Sequence, residues 1–173
     1  NFHHLKVDYY KNDKWQLMQP DIEKLKDILV YWQIGMQEND ASQALFWSNH
    51  DQPRVVSRFG DDKKYWAISA KMLAASMYLL RGIPYIYQGE EIGMTNADFT
   101  QIEQYKDVES TNYYKILQSQ GKSQQEAMHI LNVRSRDNSR TPMQWNAKNN
   151  AGFTDGKPWI KINENYSTVN VEN

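Results

Sequence analysis

Two short runs of apolar and aromatic residues, ALFW at 44–47 and PYIY at 84–87, constrain this chain more than any other feature. A strand wetted on one face alternates apolar and polar residues. A run that stays apolar belongs to a strand covered on both faces. Each run stops abruptly, the first at SNHDQP and the second at QGEE. Between them, Ile68, Met72, Leu73, Met77 and Leu80 recur at helical spacing over residues 66–81, and Ala70, Ala74 and Ala75 allow a neighbour to approach. Gly82 is expected to end that helix at its C′ position. Strand, helix, strand is the unit of a parallel sheet, so the fold class is α/β. In such folds ligands and chemistry collect beyond the carboxyl ends of the strands. Asp51, in the polar stretch after the first run, is therefore the first candidate for a catalytic-site carboxylate.

The remaining elements follow from local signals. Residues 1–10 carry a rough alternation that predicts a strand tail followed by a polar loop. A helix is expected from Pro20, with Ile22, Leu25, Ile28, Leu29, Trp32 and Met36 on one face and acidic residues in its first turn. Residues 107–120 predict another helix, broken by Gly121. Ser123 and Glu126 form an S-x-x-E capping box that opens a further helix to about residue 133. Residues 135–145 read as a loop, with Pro142 ending any helix there. The tail, rich in Asn and Gly, predicts loops with one short strand at 159–162. Two or three parallel strands leave apolar edges and faces uncovered, so neighbouring strands are expected from a longer protein.

Charge and composition remove several classes. The 20 Lys+Arg against 21 Asp+Glu give a net charge of -1, with no basic footprint for nucleic acid or an anionic membrane. There is no run of ~18 apolar residues, so no membrane partner is expected, and no secretory leader is visible. The absence of cysteine excludes disulfides, zinc–thiolate sites and thiol nucleophiles. The 6 Trp, 11 Tyr and 5 Phe suit the flat faces of sugar rings, and they suit a large core equally well.

Several clusters carry both a functional and a structural reading. The pair His50–Asp51 could hold a sugar, or Asp51 could cap a turn while His50 bonds a backbone carbonyl. His-Asp also occurs in metal phosphohydrolases, which need further His and Asp ligands; the other histidines here are His3, His4 and His129. Glu90 and Glu91 are adjacent in an extended stretch, so they point apart and are expected to be structural. Arg136, Asp137 and Arg140 could grip a hydroxyl-rich or anionic ligand, or form a salt-bridged loop. His3, His4 and Lys6 could make a phosphate-binding corner, or simply end a polar strand. No Gly-rich phosphate loop or Ser-His-Asp set is present.

Taken together, these stretches resemble the α-amylase superfamily, the family-13 glycoside hydrolases, in its oligo-1,6-glucosidase branch. ALFWSNHDQPRVVSRFGDD is similar to the segment at barrel strand seven, where the family carries a W-x-N-H-D motif. PYIYQGEEIGMTN resembles strand eight and its loop, and SRDNSRTPMQW with NAGFTDGKPWIKINENY resembles the stretch leading out of the barrel. FHHLKVDY is similar to the branch members that cleave trehalose 6-phosphate to glucose and glucose 6-phosphate; the alternative is the 1,6-glucosidases themselves. The resemblance implies the C-terminal portion of a (β/α)8 TIM barrel, from the end of strand six to helix eight. Residues 1–145 would be barrel, and 146–173 would lead toward a further domain. It also implies a retaining hydrolase whose Asp nucleophile and Glu acid/base lie upstream. Asp51 would then be the transition-state stabiliser, His50 and Arg136 would bind the substrate, and Lys6 would contact a 6-phosphate. No cofactor and no metal are implied. The 173 residues alone would be inactive and prone to self-associate through exposed strand edges. A non-catalytic sugar-binding or assembly role is the reading from another class.

Overall fold

The computed structural model describes residues 3–173, and its centre is the expected strand–helix–strand unit. Strands β1 (Ala44–Leu45) and β2 (Ile83–Pro84) pair in parallel, with Ala44 opposite Ile83 and Leu45 opposite Pro84. The Ile83 N–H donates to the Gln43 carbonyl at 2.8 Å, and the Tyr85 N–H donates to the Leu45 carbonyl at 2.8 Å. Both strands are shorter than the apolar runs predicted. The ladder stops at Leu45 because the next carbonyl, of Phe46, faces His4 Nε2 at 2.9 Å instead of another strand. Beyond β2, Tyr85 and Ile86 stay exposed, and among the described residues no strand pairs with the edge of β2 away from β1.

The connection between the strands holds two helices. The short α2 (Val55–Phe59), not foreseen from the sequence, follows Pro53. The longer α3 (Trp66–Tyr78) ends before the predicted residue 81, because the Leu80 N–H turns back to the Met77 carbonyl at 3.2 Å. Gly82 consequently lies beyond the helix end and plays a different part from the C′ stop expected. It sits at φ 156°, where a Cβ would strike the Gln43 carbonyl and the Leu45 side chain. Only glycine lets the chain come so close to β1. Leu45, Trp47, Val55, Val56, Leu73 and Met77 close the core beneath, and Trp47 Nε1 donates to the Leu73 carbonyl at 2.7 Å.

Helix α1 (Ile22–Glu38) begins two residues later than predicted, with Asp21 as its cap: the side chain accepts from the Lys24 N–H at 2.9 Å. All its residues keep some exposure, and Ile22, Leu25, Leu29, Val30, Ile34 and Leu80 line an open apolar groove. Helices α4 (Val108–Ser119) and α5 (Gln124–Arg134) match the sequence reading, including the Ser123–Glu126 capping box. They pack as a hairpin against Trp15, Phe99, Tyr105 and Ile160. Residues 159–162 form no strand; Ile160 instead seals that core from a loop. A single 3₁₀ turn, His3–Lys6, replaces the strand tail predicted at the start, while Asn1 and Phe2 lie outside the described residues. Among the described residues no helix is long and apolar enough to cross a membrane.

Candidate active site

The turn after β1 is shaped by Asn49. Its side-chain oxygen accepts from the Asp51 N–H at 2.8 Å, and its carbonyl accepts from the Gln52 N–H at 3.2 Å. Asn is suited to this because a short amide can mimic a backbone turn. The turn lifts His50 and Asp51 off the carboxyl end of β1, and the Asp51 side chain is left 47% exposed. Buried Pro53 then directs the chain into α2.

Two arginines from the loop after α5 meet Asp51. Arg136 Nη1 and Arg140 Nη2 each donate to Asp51 Oδ1 at 3.2 Å, and His50 Nε2 lies 3.3 Å from Oδ2. Arg140 Nε also donates to the His50 carbonyl at 2.9 Å, tying the two loops together. At this exposure such ion pairs contribute only about 0–1 kcal/mol each. Their arrangement therefore matters less for stability than for what it presents: a carboxylate, an imidazole and two guanidinium groups facing solvent at one point. These groups can hydrogen-bond the hydroxyls of a sugar or hold an anion.

Behind them stands a buried support that the sequence reading did not identify as part of the site. Arg136 makes a two-pronged bond to Asp107, Nη2 to Oδ1 at 2.6 Å and Nε to Oδ2 at 3.1 Å. Burial alone would raise the pKa of Asp107, but the Arg136 fork outweighs it and holds the carboxyl below the usual range. The same bond pushes the Arg136 pKa upward. Asp137, expected among the ligand-gripping residues of its loop, is instead wholly buried. Its Oδ2 accepts the backbone N–H groups of Lys106 at 2.7 Å and Asp107 at 2.9 Å. Glu109 Oε2 lies 3.2 Å from Arg136 Nε and accepts from Lys14 Nζ at 2.7 Å, so Lys14 joins the cluster from the first segment of the chain. Burial lowers the Lys14 pKa, opposed by its bond to Glu109. The one local signal for Asp107 was its position just before α4, where an acid is favourable.

Other candidates fall elsewhere. The Lys6 side chain is exposed and makes no hydrogen bond or ion pair among the described residues. His4 is buried, edge-on to Phe46 and Trp47, which corrects the phosphate-corner reading for that residue; the side chain of His3 lies outside the described residues. Glu90 accepts from the Tyr78 hydroxyl, its pKa raised by burial, while Glu91 is exposed. Arg54, buried against the Tyr87 ring and bonded to the Gln88 carbonyl at 2.6 Å, has its pKa pushed down to about 10 by desolvation. A cleft of about 480 Å³ between α3 and the last residues includes Glu90 and Glu91 but not Asp51. No three His, Asp or Glu side chains among the described residues are grouped to hold a metal ion.

The alpha-amylase catalytic-domain family matches residues 1–173. Over 172 residues the chain is 55% identical to the trehalose-6-phosphate hydrolase of Bacillus subtilis (strain 168), covering 99% of this chain and 31% of that protein. It is 51% identical over 174 residues to the probable oligo-1,6-glucosidase 2 of the same organism, again 99% of this chain and 31% of the relative. The crystal structure of Bacillus licheniformis trehalose-6-phosphate hydrolase superposes with a TM-score of 0.97 at 57% identity, covering 99% of this chain and 31% of that one. The chain thus spans under a third of the length of these relatives.

Proposed function

The chain belongs to the α-amylase family, and from that premise we propose that it forms the C-terminal part of a retaining α-glucoside hydrolase. Residues 1–145 complete a (β/α)8 barrel from the end of its sixth strand to its eighth helix, and residues 146–173 lead out of it. The exposed side of β2, with Ile83, Tyr85 and Ile86, is where the remaining strands would lie. Separated from them, the fragment would self-associate through that face.

One observation carries the reading: the Asp51 carboxylate stands at the carboxyl end of β1 with His50 and Arg136 beside it. In a retaining glycosidase two carboxyl groups make and break bonds through an oxocarbenium-like transition state. Those two belong to the upstream part of the protein. Asp51 accepts hydrogen bonds from the sugar's hydroxyls, and these bonds strengthen as positive charge develops on the ring. His50 and Arg136 bind hydroxyls of the same glucose. Asp107 keeps the Arg136 guanidinium oriented for this task. The chemistry runs on carboxylates and water without a cofactor.

The substrate we propose is trehalose 6-phosphate, cleaved to glucose and glucose 6-phosphate in the cytoplasm. The likeness to enzymes named for that activity supports it, and the unpaired ammonium of Lys6 is the group we assign to the phosphate. The likeness to a probable oligo-1,6-glucosidase supports a second reading, with the same machinery and an unphosphorylated leaving sugar. Assaying the full-length protein with trehalose 6-phosphate and with isomaltose separates the two. The first reading predicts preference for the phosphorylated sugar, lost in Lys6→Ala while cleavage of an unphosphorylated α-glucoside is retained. Preference for isomaltose, or equal loss on both substrates, would overturn it.

A further inference from the structure

Asp8 sits at the crossing of three distant parts of the chain, and nothing so far described uses it. Its side chain is 3% exposed and lies between Arg58 of α2 and Arg134 at the end of α5, themselves 1% and 2% exposed. Arg58 grips the carboxylate with two nitrogens, Nε to Oδ2 at 2.9 Å and Nη2 to Oδ1 at 2.6 Å. Arg134 donates Nη1 to Oδ2 and Nη2 to the Asp8 carbonyl, the latter at 2.6 Å.

Both arginines lead to the candidate site. The third Arg58 nitrogen, Nη1, donates to Gln52 Oε1 at 2.7 Å, and the Tyr9 hydroxyl reaches the same oxygen at 3.4 Å. Gln52 is the residue after Asp51 and closes the Asn49 turn with its own N–H. Arg134 is two residues from Arg136, the partner of Asp51 Oδ1. A single carboxylate is thus bonded, one arginine each way, to the turn that presents Asp51 and to the segment that presents Arg136.

We propose that Asp8 is a positioning residue: by holding Arg58 and Arg134 together it sets the placement of Asp51 relative to Arg136, with Gln52 as the link. The inference rests on the reading of Asp51 and Arg136 as parts of a hydrolytic site. Burial opposes ionisation of Asp8, but bonds to Arg58 and Arg134 overcome it and hold its pKa below the usual range, so the clamp stays charged at neutral pH. The clamp reaches beyond the dry triad, through Arg58, to the partly buried Gln52 in the turn that presents Asp51.

The test compares Gln52→Met, Gln52→Glu and Asp8→Asn in the full-length protein, with kcat, KM and crystal structures as readouts. Gln52→Met removes the acceptor while keeping the length, and leaves the buried triad alone. It is expected to fold and to lower kcat by about tenfold to a hundredfold, the scale of a catalytic group misplaced by an ångström, with KM little changed. Gln52→Glu keeps an acceptor for Arg58 and is expected to recover most of that loss. In the crystal the Asp51–Arg136 separation, 3.2 Å here, should lengthen in Gln52→Met and Asp8→Asn and return in Gln52→Glu. Wild-type kcat with an unmoved Asp51–Arg136 pair in Gln52→Met would overturn the proposal, as would equal losses in Gln52→Met and Gln52→Glu. Should Asp8→Asn fail to fold, the Gln52 pair decides alone. Absence of α-glucoside hydrolysis in the unmutated full-length protein would instead remove the functional reading, and the crystallographic separations would still decide the positioning claim.

Discussion

The chain builds two arginine–aspartate clusters from the same chemistry and places them in different solvents. In the first, Asp8 is enclosed by Arg58 and Arg134 with nearly no water. In the second, Asp51 meets Arg136 and Arg140 while nearly half its side chain stays exposed. Charge in a dry pocket cannot be given up without leaving its partners unpaired, so the first cluster is fixed. Charge at a wet surface exchanges partners at little cost, so the second can trade arginine contacts for the hydroxyls of a ligand. Ion pairing alone does not separate structure from function. On the reading proposed for Asp51, exposure does, and Asp107 joins the two regimes, buried itself while holding the partly exposed Arg136.

Several experiments can break or sharpen that contrast. The largest effect on stability is expected at the dry cluster: Asp8→Ala leaves two buried guanidinium groups without their anion and should cost about 3–5 kcal/mol in denaturant unfolding of the full-length protein. Asp51→Ala in the same assay should cost less than about 1 kcal/mol. Equal costs would erase the distinction. Asp107→Asn should fall between, about 1–3 kcal/mol, because the Arg136 fork loses its charged acceptor inside the protein. It should also weaken binding of an α-glucoside through Arg136, which a titration of the full-length protein would detect.

Acidification acts on the same two buried carboxylates. Asp8 and Asp107 both have pKa values depressed below the ordinary 3.8 in the folded state. Their contribution is present above the unfolded value and disappears as pH falls through the folded one. Stability should therefore decline on going below about pH 4, and the decline should be shallower in Asp8→Asn, as followed by thermal unfolding across pH. An unchanged slope would mean that Asp8 is not ionised in the fold. The smallest effect is that of salt: raising ionic strength from about 0.1 to 1 M shortens the screening length from ~10 to ~3 Å and should hardly change the stability cost of Asp8→Ala.

What the sequence disclosed depended on how local each signal is. The capping box of Ser123 and Glu126 and the glycine stop at Gly121 lie within a few residues of the helix ends they set, so α4 and α5 were legible. The apolar runs overstate the strands, because such a run reports burial on two faces while a ladder needs a facing strand; past Leu45 the Phe46 carbonyl meets His4, and the sheet among the described residues holds β1 and β2. Asp51, His50 and Arg136 were singled out by motif, and the structure places them in contact. Asp107, Glu109 and Lys14 were not, since the pairs that gather them lie 27 to 95 residues apart in sequence. The Asp8 triad was invisible for a further reason: a lone Asp or Arg in a sequence reads as a solvated charge. Only the fold shows three of them meeting in the dark.

The central claim is that Asp51 serves chemistry and not architecture, and one variant addresses it directly. Asp51→Asn in the full-length protein keeps the size and most hydrogen bonds of the side chain and removes its charge. The expected result is a fall in kcat for α-glucoside hydrolysis of about 10²–10³-fold or more, with an unfolding midpoint equal to that of the unmutated protein. Near-normal turnover, or a loss of activity that merely follows a loss of folded protein, would contradict it.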